Sequence, residues 1–106
     1  MINNKILGLL GLATRAGKTV FGTESSKEAI EKKKVKLLIV AEDAADRTKR
    51  NFEEICCEYG VPMKIMLTID TISKSIGQNN KAIVGIKDTN FSEEILKIID
   101  GGEIIG

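Results

Sequence analysis

The run 37-LLIVA-41 restricts the fold of this chain more than any other feature, because it contains five consecutive apolar residues. A strand that keeps one face in water alternates apolar and polar residues, whereas an uninterrupted apolar run is typical of a strand buried on both faces. Burial on both faces requires helices above and below the sheet. The run therefore predicts a layered α/β domain.

Helical and extended patterns alternate along the rest of the chain. Apolar residues recur at helical spacing over 5–14, and a short extended segment at 20–21 ends at Gly22. Two more strands are predicted over 63–67 and 82–86, where mostly apolar runs lie between turn-forming residues. Helices fill the intervals, so we expect an α/β sandwich with helices on both faces of a small sheet.

The clearest helix follows residue 43 and places four residues on one face. These residues, spaced three, four and seven positions from the first, are Phe52, Ile55, Cys56 and Tyr59. Short polar residues that accept a hydrogen bond from the first turn are expected to cap three of the helices. They are Asp43 for this third helix, Asp70 for the fourth and Ser92 for the last.

The composition excludes several classes of protein. The chain has no His, which removes His-based catalysis and most zinc sites. It has no Trp and one Tyr, so aromatic platforms for base stacking are not expected. No apolar run approaches the roughly 20 residues that span a bilayer, and the first residues lack the cleavage pattern of a secretory signal. We expect a single domain over 1–106, outside the membrane, with no catalytic residues, no cofactor and no metal.

The only two cysteines, Cys56 and Cys57, are adjacent. Neighbouring cysteines do not bridge to each other without severe strain. Reduced thiols and a cytoplasmic location therefore fit best. Cys56 is expected in the core rather than as a reactive thiol, because no base is apparent near it.

The net charge of +1 hides an asymmetry along the chain. Residues 1–36 carry a net charge of +5, residues 37–87 are neutral and residues 88–106 carry −4. A basic face at one end of the molecule is compatible with this distribution. The lysines of 32-KKK-34 also have a simpler interpretation as a solvated helix end, where the helix dipole favours cations.

Two segments have residue types suited to binding chemistry. Glu42 and Asp43 directly follow the buried strand, where carboxylates hold magnesium in some α/β proteins. Capping by Asp43 and a solvent-facing Glu42 is the favoured interpretation. The segment 15-RAGKTVFGTESSK-27 combines glycines, a helix start and lysines, which suit a phosphate group. It matches neither the Walker loop nor G-x-G-x-x-G, so a plain turn is an equal alternative.

The order and spacing of several short motifs resemble one protein family. The motifs are 16-AGKTVFG-22, 36-KLLIVAED-43, 57-CEYGVP-62 and 72-ISKSIG-77, with a lysine-ended helix between the first two. Together they resemble the kink-turn RNA-binding family of large-subunit ribosomal proteins, seven-Ae and thirty-e, and in particular its bacterial YlxQ-type branch. The similarity covers roughly residues 5–100.

The resemblance implies a three-layer α/β/α sandwich around a four-stranded mixed sheet. It also implies a non-catalytic RNA-binding protein of ribosomes or translation, whose partner is a sharply bent RNA internal loop with tandem sheared G·A pairs. Three segments would hold this kink-turn: residues 22–28, 45–49 and 78–81. With one lysine added from the preceding turn, the candidate RNA-binding residues are Lys18, Gly22, Thr23, Glu24, Ser25, Lys27, Arg47, Lys49, Gln78, Asn79, Asn80 and Lys81.

This chain differs from the family's motif at several of these positions. The family's Asn-Glu pair falls on Glu24 and Ser25, and its lysine in the next turn falls on Glu28. A carboxylate at Glu24 can accept hydrogen bonds from both N1–H and N2–H of a guanine, at about 1–3 kcal/mol for a well-made base contact. Nearby cations, Lys18 and Lys27 among them, are expected to offset its charge close to phosphates.

Two other classes of function stay open. A protein-interaction or signalling module can use the same scaffold, because small α/β sandwiches host many functions. An enzyme is the least favoured class, since no nucleophile–base pair stands out. Convergence of the basic candidates on one edge would favour RNA, whereas an acidic or apolar edge would favour a protein partner.

Overall fold

Helices and strands alternate through the computed structural model, which describes residues 2–102 of the expected 1–106 domain. The helices are α1 (Ile2–Arg15), α2 (Thr23–Glu31), α3 (Asp46–Tyr59), α4 (Ile69–Ser75) and α5 (Thr89–Lys97). The strands are β1 (Thr19–Phe21), β2 (Leu37–Val40), β3 (Met63–Ile65) and β4 (Ile83–Ile86). A further helical turn, Ile98–Gly102, follows α5. None of the helices in this part of the chain is long and apolar enough to cross a bilayer.

The four strands form one mixed sheet in the order β1-β4-β2-β3. β4 runs antiparallel to both of its neighbours, which pairs Phe21 with Val84 and Val40 with Ile83, while β2 and β3 are parallel. The four-stranded mixed sheet implied by the resemblance is confirmed. Because of these directions, β1, β2 and β3 end where β4 begins. We term this the loop end of the sheet.

The two central strands form the middle of the core. β2 and β4 are buried along their whole length, and burial continues through Ala41, as the run 37-LLIVA-41 predicts. α2 packs on α3, whereas α1 packs on α4 and α5. The sheet therefore lies between two helical layers, and the α/β sandwich is confirmed.

The apolar face predicted for α3 is only partly buried. Phe52 and Cys56 are 1% and 3% exposed, and Ile55 is half-buried. Tyr59 is 36% exposed, because it is the last residue of the helix before the chain turns away at Gly60 in a left-handed conformation. The helix is as predicted, but its last turn extends past the core.

The prediction that Asp43 caps α3 is wrong. Residues after β2 first form a turn, in which the N–H of Ala44 donates to the carbonyl of Ala41 at 3.1 Å, and the helix begins only after Ala45. The Asp43 carboxylate instead accepts a hydrogen bond from the N–H of Ile69 at 2.9 Å. Asp43 thus joins the β2–α3 loop to the start of α4.

The predicted caps of α4 and α5 are also wrong. Thr68, rather than Asp70, caps α4. Asp88 caps α5 by accepting from the N–H of Phe91 at 2.9 Å, so this helix begins earlier than expected. Ser92 is consequently buried inside α5, where its hydroxyl has no hydrogen-bond partner among the described residues. In each case a polar side chain nearer the preceding strand caps the helix first.

Candidate nucleic-acid interface

The topology of the sheet brings the three sequence-predicted segments together at the loop end. Gly22 follows β1, and its N–H donates to the carbonyl of Ile83 at 3.2 Å. Ala41 follows β2, and its N–H donates to the carbonyl of Ala82 at 2.8 Å. The start of α2, the start of α3 and the loop 78–81 are therefore neighbours.

Gly22 sets the direction in which α2 leaves the sheet. Its φ of 90° and ψ of 162° lie in a region that is essentially restricted to glycine. Its carbonyl accepts the first hydrogen bond of α2 from the N–H of Ser26 at 3.2 Å, and no side chain caps the helix. The N–H groups of residues 23–25 therefore have no intrahelical partner and are available at the loop end.

Lys81 is the predicted basic residue whose position is best fixed. The buried hydroxyl of Ser73 accepts from the Lys81 N–H at 2.7 Å and donates to the Lys81 carbonyl at 3.2 Å. The ammonium lies 5.9 Å from the ring centroid of Phe21, a cation–π distance. It is also 3.8 Å from the position that a Cβ on Gly22 would take. The charge of Lys81 is thus held beside Gly22.

Sequence analysis did not identify Ser73 or Phe21 as parts of this site. Ser73 is 4% exposed and directly follows the buried Ile72 of α4. A polar residue in the apolar part of a short helix was the available signal. Phe21 ended a predicted strand, and nothing in the sequence related its ring to a lysine sixty positions later.

The two basic residues at the start of α3 behave differently. Arg47 is exposed, and within the described part of the chain its guanidinium takes part in no hydrogen bond or ion pair. Lys49 turns back, and its Nζ donates to the carbonyl of Glu42 at 2.6 Å. Arg47 is therefore available for a ligand, whereas Lys49 stabilises the end of β2.

Clefts between the described helices flank the loop end. Glu24 and Lys27 line a cleft of about 560 Å³ between α2 and α3. Residues 78–80 line a second cleft of about 450 Å³ beside the start of α4. Asn80 has a left-handed φ of 55°, a conformation that Asn adopts more readily than most residues. This turn directs the chain back into β4.

Lys18 does not lie with the other candidates. It precedes β1, and its carbonyl accepts a hydrogen bond from the N–H of Lys87, which follows β4, at 2.8 Å. Gly22 is four residues away along extended chain, a distance of about 13 Å. Lys18 is therefore at the opposite end of the sheet.

The loop end is mixed in charge rather than uniformly basic. Asp70 pairs with Lys74 at 3.2 Å, and Asp43 holds the start of α4. The exposed carboxylates that remain there are Glu24, Glu42 and Asp46. Among the described residues, the basic candidates at this end that neither a carboxylate nor a backbone carbonyl pairs are Lys27, Arg47 and Lys81.

Cysteine and metal chemistry contribute nothing visible to this site. Burial raises the pKa of the Cys56 thiol to about 11, so the thiol is protonated at neutral pH and packs as a core residue, as predicted. Within the described residues, no three His, Cys, Asp or Glu side chains are grouped to hold a metal ion. The groups that the loop end offers are hydrogen-bond donors, acceptors and charges.

Known proteins share this sequence pattern. Residues 4–96 match the profile of the Ribosomal protein L7Ae/L30e/S12e/Gadd45 family. The RNA-binding protein YlxQ of Enterococcus faecium is 34% identical, covering 92% of this chain and 93% of its own length. The protein of the same name from Bacillus subtilis is 32% identical, covering 87% and 92%. The large ribosomal subunit protein eL8 of Cenarchaeum symbiosum is 28% identical, covering 88% and 75%.

Solved structures share the fold. A protein with unknown function from Bacillus halodurans superimposes with a TM-score of 0.87 at 33% identity, over 91% of this chain and 97% of its own. The 15.5kD RNA binding protein of Giardia lamblia superimposes with a TM-score of 0.79 at 16% identity, over 99% and 90%. With a profile match over residues 4–96 and relatives above 30% identity along most of both chains, this chain belongs to the Ribosomal protein L7Ae/L30e/S12e/Gadd45 family.

Proposed function

We propose that this chain is a non-catalytic RNA-binding protein that recognises a kink-turn, or a closely related bent RNA, at the loop end. The observation that carries the proposal is the convergence of the α2 start, the α3 start and the loop 78–81 around Gly22. Relatives named as RNA-binding proteins and as a ribosomal subunit protein support it. The proposal includes a cytoplasmic role with ribosomes or in translation, which the ribosomal relative supports.

The start of α2 supplies directional hydrogen-bond donors. The N–H groups of residues 23–25 have no intrahelical partner, and the helix dipole adds partial positive charge at the same place. Such a helix start binds a phosphate or a carbonyl oxygen. Lys27, Arg47 and Lys81 then neutralise phosphates on either side of the bend.

Glu24 supplies base discrimination. A guanine in a sheared G·A pair presents N1–H and N2–H, and one carboxylate accepts both, at about 1–3 kcal/mol for a good base contact. Glu24 is exposed in the first turn of α2, directly after Gly22 and Thr23. The amides of residues 78–80 add donors and acceptors that suit the edges of unstacked bases.

The test is a titration of the protein against a kink-turn RNA and against the same RNA with its G·A pairs changed to Watson–Crick pairs. Binding is measured by fluorescence anisotropy at two salt concentrations. Tight binding to the first RNA alone is expected. Equal, salt-sensitive binding to both would reduce the function to general RNA binding. An absence of binding to either at low salt would overturn the proposal and favour a protein-interaction module.

Substitutions at the loop end test whether the RNA binds there. Lys27→Ala with Arg47→Ala should weaken binding to the kink-turn RNA and lower the slope of log K against log salt by about 2. Lys64→Ala with Lys97→Ala removes the same charge elsewhere and serves as the control. Glu24→Ala should relax discrimination of the G·A pairs. If it instead strengthens binding to both RNAs equally, Glu24 is only a repulsive charge.

A further inference from the structure

Three lysines directly flank adjacent strands at the end of the sheet opposite the loop end: Lys18 precedes β1, Lys36 precedes β2 and Lys87 follows β4. The N–H of Lys87 donates to the carbonyl of Lys18 at 2.8 Å, and the N–H of Lys36 donates to the carbonyl of Ile86 at 2.7 Å. All three lysines are exposed. Neighbouring strands are about 4.8 Å apart, so the three side chains begin within about 10 Å of one another. We term Lys18, Lys36 and Lys87 the lysine row.

No lysine of the row takes part in an ion pair within the described part of the protein. Like charges on directly opposed strand residues destabilise a sheet. The ion pairs within residues 3–101 use other lysines, namely Lys32, Lys64 and Lys74. Asp88 directly follows Lys87, but its carboxylate caps α5. Neighbouring like charges that destabilise a sheet are expected where function requires them.

Lys33 extends the same surface. It lines a cleft of about 240 Å³ together with Lys36 and Tyr59. Lys33 has a left-handed φ of 61° after the end of α2, a conformation usually taken by glycine at helix ends. Lysine thus replaces the residue that the backbone favours there, and this adds a further charge beside the lysine row.

We propose that the lysine row, with Lys33, is a second RNA-binding surface that contacts the phosphates of a stem distinct from the RNA bend at the loop end. The inference rests on the proposed function and deepens it. Phosphate neutralisation supplies most of the affinity in sequence-independent RNA binding. At the loop end, neither a carboxylate nor a backbone carbonyl pairs Lys27, Arg47 or Lys81, and the lysine row adds three more cations for phosphates.

The chemistry of this surface favours RNA over a protein partner. Protein interfaces are depleted of lysine and contain an apolar centre, whereas the lysine row is a line of exposed ammonium groups. Ammonium groups bind phosphates as point charges, without the fixed geometry that base recognition requires. The surface is therefore suited to backbone contact and not to sequence discrimination.

The first experiment measures binding to a plain 20-bp RNA duplex that has no internal loop. The triple variant Lys18→Gln, Lys36→Gln, Lys87→Gln is compared with the control Lys32→Gln, Lys64→Gln, Lys97→Gln, which removes the same charge outside the lysine row. Three lost phosphate contacts should weaken duplex binding on the order of 10²-fold at 0.1 M salt and lower the salt slope by about 2–3. The control should change little.

The outcomes separate this inference from the proposed function. The row variant should keep the ratio of affinities between the kink-turn RNA and its Watson–Crick counterpart, because the loop end is unchanged. Duplex binding by the row variant equal to that of the control would overturn the second surface, whatever the ratio is. If the wild-type protein binds the kink-turn RNA and its Watson–Crick counterpart with equal affinity, that result would count against kink-turn recognition alone. Circular dichroism verifies that both variants are folded.

A second experiment asks whether one molecule holds two RNA segments. A kink-turn RNA and a plain duplex carry different fluorophores and are sedimented together with the protein. Co-sedimentation of both fluorophores with the wild-type protein, and its loss in the row variant, is the expected result. Displacement of one RNA by the other would mean a single shared surface and would overturn the inference.

Discussion

The substitution Gly22→Ala tests whether the backbone at the end of β1 positions the loop end. Gly22 has a φ of 90° and a ψ of 162°, and it joins β1 to β4 and to the first turn of α2 through two hydrogen bonds of 3.2 Å. Among the described residues beyond its two chain neighbours, an added Cβ would have only Nζ of Lys81 within 4 Å, at an ordinary contact distance of 3.8 Å. The cost of the substitution is therefore backbone strain and not a clash.

Strain in this region costs on the order of 1–3 kcal/mol for a residue with a Cβ. A domain of this size has a total stability of about 5–15 kcal/mol, so the loss is measurable. Each kcal/mol corresponds to roughly 4–8 °C in Tm for a domain of about 100 residues. We expect Gly22→Ala to lower the free energy of unfolding by about 2 kcal/mol.

Urea unfolding measures this loss, with circular dichroism as the signal because the chain has no Trp and one Tyr. The slope m should stay constant while the midpoint falls. The control is Gly17→Ala, at a φ of 73° with nothing within 4 Å of an added Cβ, where we expect the smaller cost of a left-handed residue. At a temperature where it is folded, Gly22→Ala should lose G·A discrimination. Unchanged stability and unchanged discrimination would refute this account of Gly22.

Three further predictions concern stability and reactivity. Gly8→Ala in α1 should stabilise the protein by about 0.5–1 kcal/mol. Gly11→Ala should not, because a backbone carbonyl of α4 lies 3.1 Å from its added Cβ. Urea midpoints of the two variants measure the difference in stability. Ser92→Ala should raise the free energy of unfolding by about 1 kcal/mol, because it removes a buried hydroxyl without a partner among the described residues. A higher urea midpoint would show this gain. Cys57 should react with a thiol reagent in the native state, and Cys56 only after unfolding. The free energy of unfolding should fall from pH 9 towards pH 11. In that range the Cys56 thiol ionises in the unfolded chain, whereas burial raises its pKa to about 11 in the folded protein.

The long-range architecture was predictable because few arrangements bury an uninterrupted apolar strand. The run 37-LLIVA-41 required helices on both faces, and the sheet and its two helical layers are as expected. Helix starts were less predictable. Asp43 and Ser92 each have the chemistry of a cap, but the turn after β2 and the nearer Asp88 decide where α3 and α5 begin. Local propensity identifies candidates, and the tertiary path of the chain selects among them.

At the candidate site too, the sequence identified the segments, whereas the fold determined which side chains meet. The three segments at the loop end were named from sequence order, and the sheet brings them together. Lys18 belonged to the same contiguous motif as Gly22, yet a strand of three residues separates them to opposite ends of the sheet. The contact between Ser73 and Lys81 depends on how α4 packs, and the polar Ser73 beside the apolar Ile72 indicates a buried hydroxyl without identifying its partner.

The distribution of charge in space differs from its distribution along the chain for a reason that bears on function. The excess of +5 in residues 1–36 is divided by the sheet, since Lys27 lies at the loop end whereas Lys18 and Lys36 join Lys87 at the other end. At the loop end, the exposed carboxylates of Glu24, Glu42 and Asp46 lie among the cations and reduce the attraction for phosphates there. On the two proposals, base selectivity should depend on the loop end, and the salt dependence should be shared between the cations there and the lysine row. Because carboxylates accompany the cations at the loop end, the proposed RNA binding would gain affinity from further cations, and the antiparallel pairing of β1 with β4 brings Lys18 and Lys87 together at the other end of the sheet.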